Sequence, residues 1–538
     1  MRYQYLLLLI TLFSGCTTHR RAPAEAQIPI FLNKTVEIGL PVDHKANHTV
    51  VADLNHDGFL DIILTQWHIP PLGVKVFLNQ KGQAFKEVPV EGLKLGPSGI
   101  LKVAKGLFRQ DEWGVVLRYP RKVLETYTLE VTELRAHFVR HERSKLPPVI
   151  SNWGDVQFLD FDHDGKLDVF ATSFYMNESL RADGLFMFRQ TSSGEFEDVS
   201  LDLGLGGLEK YDPKSRAAAV PSYMANVCDI DGDGHLELIV AGYGRRWNKI
   251  FFKQAIEDGS LLYHNKAYEL GFDGDKAGRT NFRGNGNSFA SQCGDLDGDG
   301  KLDIFQGEIT HKWAGRESDL SAVLYNNYPK PFTRFSDLPR PSDFNDQGDI
   351  GSVMGDINLD GNLDLIIANS DYPPETKMLT LINHGRGKFI NISAEIESVT
   401  NPKGLILFDM DRDGDLDLIT GENAMRGHVP SVKFFNNQTQ ELGSHNFVSI
   451  SLEGDGKVIA QSPVGARVLY HGKEEIVLRE LVFGSGQDAV HPLETIIALP
   501  QDLESDQVEI EIVWNLKHRM KHNLKINRHH HLIFKPNL

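Results

Sequence analysis

Asp53-Leu54-Asn55-His56-Asp57-Gly58-Phe59-Leu60-Asp61 places oxygen-bearing side chains at positions 1, 3, 5 and 9 of a nine-residue stretch. The same spacing returns at Asp160, Asp229, Asp295, Asp356 and Asp409. Positions 1 and 5 are Asp in all six copies, position 3 is Asp or Asn, position 6 is Gly, and position 9 is Asp or Glu. Such a set suits a hard cation. Ca²⁺ takes about six to eight oxygen ligands at roughly 2.3–2.6 Å. Side chains at positions 1, 3 and 5 of a tight turn point to one centre, and the Gly permits the turn. A backbone carbonyl at position 7 and a carboxylate at position 9 complete the shell.

The expected ligands are Asp53, Asn55, Asp57, the Phe59 carbonyl and Asp61 in the first loop. In the second they are Asp160, Asp162, Asp164, the Lys166 carbonyl and Asp168. The third has Asp229, Asp231, Asp233, the His235 carbonyl and Glu237. The fourth has Asp295, Asp297, Asp299, the Lys301 carbonyl and Asp303. Asp356, Asn358, Asp360, the Asn362 carbonyl and Asp364 follow, then Asp409, Asp411, Asp413, the Asp415 carbonyl and Asp417. About six Ca²⁺ are expected. An EF-hand is excluded, because position 12 is Leu64 rather than Glu, and zinc prefers Cys and His. Asp, Asn and Gly also form turns without metal. Six copies with one acid pattern favour the cation.

Short strands must hold these loops. Apolar segments such as Gly404-Leu405-Ile406-Leu407-Phe408 lead in, and β-rich segments such as Ile62-Ile63-Leu64 and Leu365-Ile366-Ile367 lead out. These runs are too short for helices. An apolar pair ending in Asn recurs downstream, as in Val76-Phe77-Leu78-Asn79 and Leu381-Ile382-Asn383, often with a Gly-x-Phe turn after it. Loop starts are 107, 69, 66, 61 and 53 residues apart. The first gap spans two repeats, so a degenerate copy without metal ligands is expected at Gly106–Leu117. The fold class is all-β: a seven-bladed β-propeller, its second blade degenerate, with a small C-terminal β domain. Three or four strands make one blade, and no blade buries both faces alone.

The chain has 538 residues and a formal charge of −17. An acidic chain does not neutralise phosphates, so nucleic acid is excluded as a partner. Met1-Arg2, the apolar run Leu6–Phe13 and Ser14-Gly15-Cys16 read as an export signal. The apolar run is too short to span a bilayer. Of the three cysteines, Cys228 and Cys293 precede neighbouring loops, and buried free thiols are expected there rather than a disulfide.

Three resemblances carry further. Ser14-Gly15-Cys16 resembles a bacterial lipobox, with Phe13 where Leu is usual. It implies signal peptide 1–16, lipidation of Cys16, a tether over 17–30 and a membrane partner through that anchor. The protein is then lipid-anchored to the cell envelope, with Thr17 compatible with the outer membrane, on its periplasmic side or at the cell surface. The loops and their strands resemble the FG-GAP/VCBS repeats of integrin α-subunit propellers, over about 31–440. The region 441–538 resembles an ASPIC/UnbV domain through Asn446-Phe447-Val448, Pro463-Val464-Gly465-Ala466-Arg467-Val468, Arg479-Glu480 and Gly484-Ser485-Gly486. It departs at Gln487-Asp488 and Trp514-Asn515-Leu516.

The family implies non-catalytic binding, adhesion or scaffolding, toward a protein or glycan ligand. Ligands in such propellers bind opposite the metal loops. Here that end carries Trp67, His68, Tyr175, Arg245, Glu308, His311, Trp313, Tyr372 and Glu422. Two other classes stay open. One is an exported polysaccharide hydrolase or lyase, for which Glu308 and Glu422 are the candidate carboxylates. The other is an assembly or maturation factor for another exported protein. His529-His530-His531 is a weaker metal candidate, because only alternate members of a strand share a face. No phosphate loop, His-Glu-x-x-His or Gly-x-Ser-x-Gly occurs.

Overall fold

The computed structural model describes residues 28–42, 48–66, 73–96, 99–174, 184–205, 220–244, 246–255, 261–275, 287–310, 319–340, 347–369, 378–422, 431–473, 476–484, 488–515 and 517–536. Cys16 and the export signal lie outside them. Strands dominate these residues, and no helix among them is long and apolar enough to cross a membrane.

Each Asp loop joins two antiparallel strands. In the first sheet, His48–Ala52 pairs with Asp61–Gln66, which pairs with Gly73–Asn79 and then Phe85–Val88. The same four-strand meander opens at Ile100–Lys105, Ser151–Leu159, Ala225–Cys228, Ser288–Gly294 and Asp349–Gly355. The seventh sheet opens at Pro402–Phe408. Its fourth strand is Phe31–Asn33, from the other end of the chain, antiparallel to Val432–Asn437. The opening strands of the seven sheets touch one another in chain order, and Pro402–Phe408 returns to His48–Ala52. The result is a closed, propeller-like ring.

The apolar runs follow from this arrangement. Each sheet is covered on both faces by its neighbours, so its inner strands read as unbroken hydrophobic segments. Ile62, Phe77, Phe408 and Phe434 form one core between the first and seventh sheets. Leu296, Phe305, Leu365 and Leu381 form another between the fifth and sixth. Residues 106–112, within the stretch expected to hold a degenerate copy, connect Ile100–Lys105 to Trp113–Arg118 in the second sheet.

Beyond the ring, Asn446–Glu453 lies between Glu494–Leu499 and Arg528–Ile533 in a three-stranded sheet. A four-stranded sheet holds Ile476–Glu480, Arg467–His471, Gln507–Asn515 and His518–Lys525. The two sheets share a core that includes Ile450, Val468, Ile512, Trp514 and Phe534. This unit is not separate from the ring. Its segment Ala489–Val490 pairs in parallel with Thr49 and Val50, on the free inner edge of the first sheet. The Thr49 amide donates to the Asp488 carbonyl at 3.0 Å. Lys102 Nζ donates to the Ala489 carbonyl at 3.2 Å and pairs with Asp155 at 3.3 Å. Lys403 Nζ lies 3.7 Å from Asp488. The C-terminal unit thus plugs the middle of the ring.

One expectation is overturned. Cys228 and Cys293 are not free thiols but a disulfide, with Cα atoms 6.6 Å apart. They sit on the opening strands of adjacent sheets, which the ring brings side by side at its centre.

Candidate cation-binding loops

Every Asp loop is wound around its first carboxylate. In the first, Asp53 accepts the amides of Asp57 and Gly58, each at 3.0 Å. Asp160 does the same for Asp164 and Gly165, and Asp356 for Asp360 and Gly361. Gly58, Gly165, Gly361 and Gly414 have φ between 83° and 99°, where a side chain is strained. Position 5 in turn accepts the position 7 amide, as Asp57 does from Phe59 at 2.9 Å. These bonds use about one lone pair per oxygen, and a carboxylate offers roughly four sites. The oxygens keep capacity for a cation.

Four loops bring one oxygen from each of three carboxylates within 4.8 Å of one another. Asp160, Asp162 and Asp168 form one such group, and Asp229, Asp231 and Glu237 another. Asp295, Asp297 and Asp299 form the third, and Asp409, Asp411 and Asp413 the fourth. In the loops at Asp53 and Asp356 the third position is an amide, Asn55 or Asn358. The donor sets fit a hard cation on a further observation. Asp229 is 5% exposed, and its Oδ1 has no hydrogen-bond partner.

Electrostatics agree. Burial, reinforced by nearby carboxylates, pushes Asp160 up to about 7 and Asp168 up to about 9. Burial likewise raises Asp61 to about 7 and Asp303 to about 8, and holds Asp417 well above the usual carboxylate range. Packed carboxylates without a countercharge resist ionisation.

Position 9 has a second task. Asp61 is fully buried; its Oδ2 accepts the Leu54 amide at 2.9 Å and its Oδ1 the Asn79 amide at 2.8 Å. Asp303, Asp364 and Asp417 latch the start of their loops to the end of the third strand in the same way.

The Asn that ends the third strand then reaches the adjacent sheet. Asn326 Nδ2 donates to the Ile230 carbonyl at 2.7 Å, Asn383 to Leu296 at 2.7 Å and Asn437 to Ile357 at 2.8 Å. Each acceptor is position 2 of the previous loop. Gln190 reaches Leu107 and Lys253 reaches Phe161 at the equivalent places.

The C-terminal unit rests on the loop end of the ring. Arg467 binds the Asp229 carboxylate and donates to its carbonyl at 2.7 Å. Arg479 donates to the Gly361 carbonyl at 3.1 Å. Arg412, inside the last loop, pairs with Glu494 at 2.6 Å and donates to the Gly58 carbonyl at 2.7 Å. At the degenerate copy, Gln461 exchanges two 2.7 Å hydrogen bonds with Asp111. None of these contacts is visible in a motif, because each joins segments far apart in sequence.

Of the residues expected on the opposite end, Trp67, His68, Tyr175, Arg245, His311, Trp313 and Tyr372 lie outside the described residues. Glu308 and Glu422 are described and are not brought together. Glu422 accepts Thr400 N at 2.9 Å and Ser431 Oγ at 2.5 Å, beside Lys433 at 3.7 Å. Glu308 accepts Ser288 Oγ at 2.5 Å, and its Oε2 is buried without a hydrogen-bond partner. Burial pushes Glu308 up to about 8, with Asp275 and Asp349 adding to the rise and Arg334 opposing it. Asp319, which sequence reasoning missed, is raised by burial and then by Glu308. His529 and His531 share a face against Ser451, as alternation requires, and His530 turns to the Lys525 carbonyl. A further feature absent from the motifs is an open groove of about 930 Å³ beside the degenerate loop, lined by Phe108, Arg109, His141, Arg143, Lys145 and Glu195.

Residues 160–240, 229–305 and 356–420 match the family described as FG-GAP-like repeat. These segments contain five of the six Asp loops. Comparison with the curated proteins finds no match. Among solved structures the chain is similar to the S. cerevisiae core factor, with 10% identity and a TM-score of 0.38, over 77% of this chain and 62% of that one. A luciferin-regenerating enzyme aligns at 8% identity and a TM-score of 0.34, over 76% and 95%. Bombyx mori GH32 beta-fructofuranosidase BmSUC1 aligns at 12% and 0.28, over 75% and 93%. The chain spans less than two thirds of the core factor chain.

Proposed function

We propose that this protein is an exported, lipid-anchored, seven-bladed β-propeller that binds about six Ca²⁺ and acts as a non-catalytic binding or scaffold protein. The observation that carries the calcium assignment is the repeated gathering of three carboxylate oxygens within 4.8 Å, on loops of one geometry. Oxygen-only donor sets of this kind suit Ca²⁺ rather than thiophilic metals. In this reading the cations neutralise the loops and stiffen the ring. The C-terminal unit, with the ASPIC/UnbV-like residues, caps the loop end, and the other end is left to a protein or glycan. Export is supported by the disulfide, which persists in oxidising compartments. The Ser14-Gly15-Cys16 signal supplies the anchor. Elemental analysis of the protein dialysed against dilute calcium tests it. About six calcium per chain is the expected result, and none would sink the assignment.

A second reading, an exported polysaccharide hydrolase or lyase, rests on one observation. Glu308 and Asp319 are both buried carboxylates that burial raises, and Glu308 adds to the rise at Asp319, as in a site with two acids in different environments. Turnover of an arrayed polysaccharide, abolished by Glu308→Gln, would establish it. No turnover across the array would leave the scaffold reading alone.

A further inference from the structure

The last Asp loop departs from the others at position 7. In the loops at Asp160 and Asp295 that position is Lys. Lys166 Nζ binds the Asp164 carboxylate, and Lys301 Nζ lies 3.7 Å from Asp299 Oδ2. In the loop at Asp356, Asn362 Nδ2 donates to Asp360 Oδ1 at 2.9 Å. In these three loops the position 7 side chain brings a positive charge or an amide donor to the position 5 carboxylate. In the last loop position 7 is Asp415, so a carboxylate stands where those three loops place a donor.

A third acid joins the pair. Glu441, on the short helix Thr439–Leu442 that follows the seventh sheet, is exposed. One oxygen from each of Asp413, Asp415 and Glu441 lies within 4.8 Å of the others. Asp415 is 1% exposed. Its Oδ2 accepts the Gln440 amide at 3.0 Å, while its Oδ1 is buried with no hydrogen-bond partner. A buried carboxylate oxygen in that state is costly unless a cation or donor meets it. The nearest built-in cation in the loop, Arg412, is already engaged with Glu494 and the Gly58 carbonyl. Asp413 belongs to both acid groups of this loop, the other being Asp409, Asp411 and Asp413.

We propose that the last loop holds two hard divalent cations, the second bound by Asp413, Asp415 and Glu441, with Asp413 bridging both. Adjacent cations sharing a carboxylate are a known device of two-metal sites. The proposal rests on the calcium reading of the loops and adds one site to it. Ca²⁺ fits the second site, which is open to water through the exposed Glu441.

Native mass spectrometry of the full chain in calcium, beside Asp415→Asn, Asp415→Lys and Glu441→Gln, decides it. Asp415→Asn and Asp415→Lys should each carry one calcium fewer than the unaltered chain. The Lys variant copies the arrangement of the second and fourth loops, and should melt higher than the unaltered chain in chelator. Glu441→Gln, at an exposed position, leaves the fold intact and should weaken the last calcium by tenfold or more. An equal calcium count in all four proteins would overturn the second site while leaving the six-loop reading standing. An unaltered chain that binds no calcium would overturn both.

Discussion

Asn79 Nδ2 donates to the carbonyl of Met410 at 2.9 Å, across 331 residues of sequence. The same nitrogen contacts the Leu60 carbonyl at 3.2 Å, inside its own sheet. One amide therefore ties the first sheet to the seventh, as Asn326, Asn383 and Asn437 tie later neighbours. The last sheet is joined to the first as any two consecutive sheets are joined.

Asn79→Ala should destabilise the protein by roughly 2–6 kcal/mol in urea unfolding, because two buried carbonyls lose their donor at about 1–3 kcal/mol each. Asn327→Ala, one residue past the equivalent position and exposed, should cost less than about 0.5 kcal/mol.

Chelation should expose the repulsion within the loops, and pH sets its size. Without metal, Asp61 titrates at about 7, Asp303 at about 8 and Asp168 at about 9, chiefly through burial. In the unfolded chain a carboxyl titrates near about 4. Between those values the folded state holds more protons, so its stability falls as pH rises. In chelator the melting temperature should drop from pH 5 to pH 8. Excess calcium should abolish the drop, and thermal melts at both pH values read the difference.

Arg412→Ala should cost about 3–5 kcal/mol, because Glu494 is left buried and unpaired. The double variant Arg412→Ala/Glu494→Ala should be less destabilised than Arg412→Ala alone. A double-mutant cycle in urea measures this, and a cooperative transition should persist only while the C-terminal unit stays docked.

The Cys228–Cys293 disulfide closes a separation of 65 residues between adjacent sheets. Replacing both cysteines by Ser should lower stability by about 2–4 kcal/mol. In the unaltered protein, alkylation without reductant should label neither cysteine.

The Asp loops were legible because the same oxygen-bearing side chains recur at fixed short spacing, which a single stretch such as Asp295–Asp303 displays in full. The spacing alone pointed to the hairpin of Ile100–Lys105 and Trp113–Arg118. The Asn at each third strand was visible as a pattern but not as a tie, since the acceptor of Asn383 is Leu296, 87 residues away. The disulfide was misjudged for a related reason. Cys228 and Cys293 face one another only after the opening strands converge on the ring's centre. The plug at Ala489–Val490 leaves no signature at all, because two small apolar residues in parallel pairing with Thr49 and Val50 carry no periodicity. The exchange of Lys for Asp at position 415 was in plain view, but its meaning depends on Glu441 and on burial.

Phe31 pairs with Asn437, and Thr49 with Ala489. Both partnerships join segments far apart in sequence, so neither can form until its later strand has been made. Contacts of such separation are slow to find one another. Until Val432–Asn437 emerges, Phe31–Asn33 has no edge to join, and the half-finished ring presents open strand edges that invite pairing with other chains. The period of greatest danger for this molecule is therefore the interval before Val432–Asn437 is made, when a companion that shields strand edges would do it the most good.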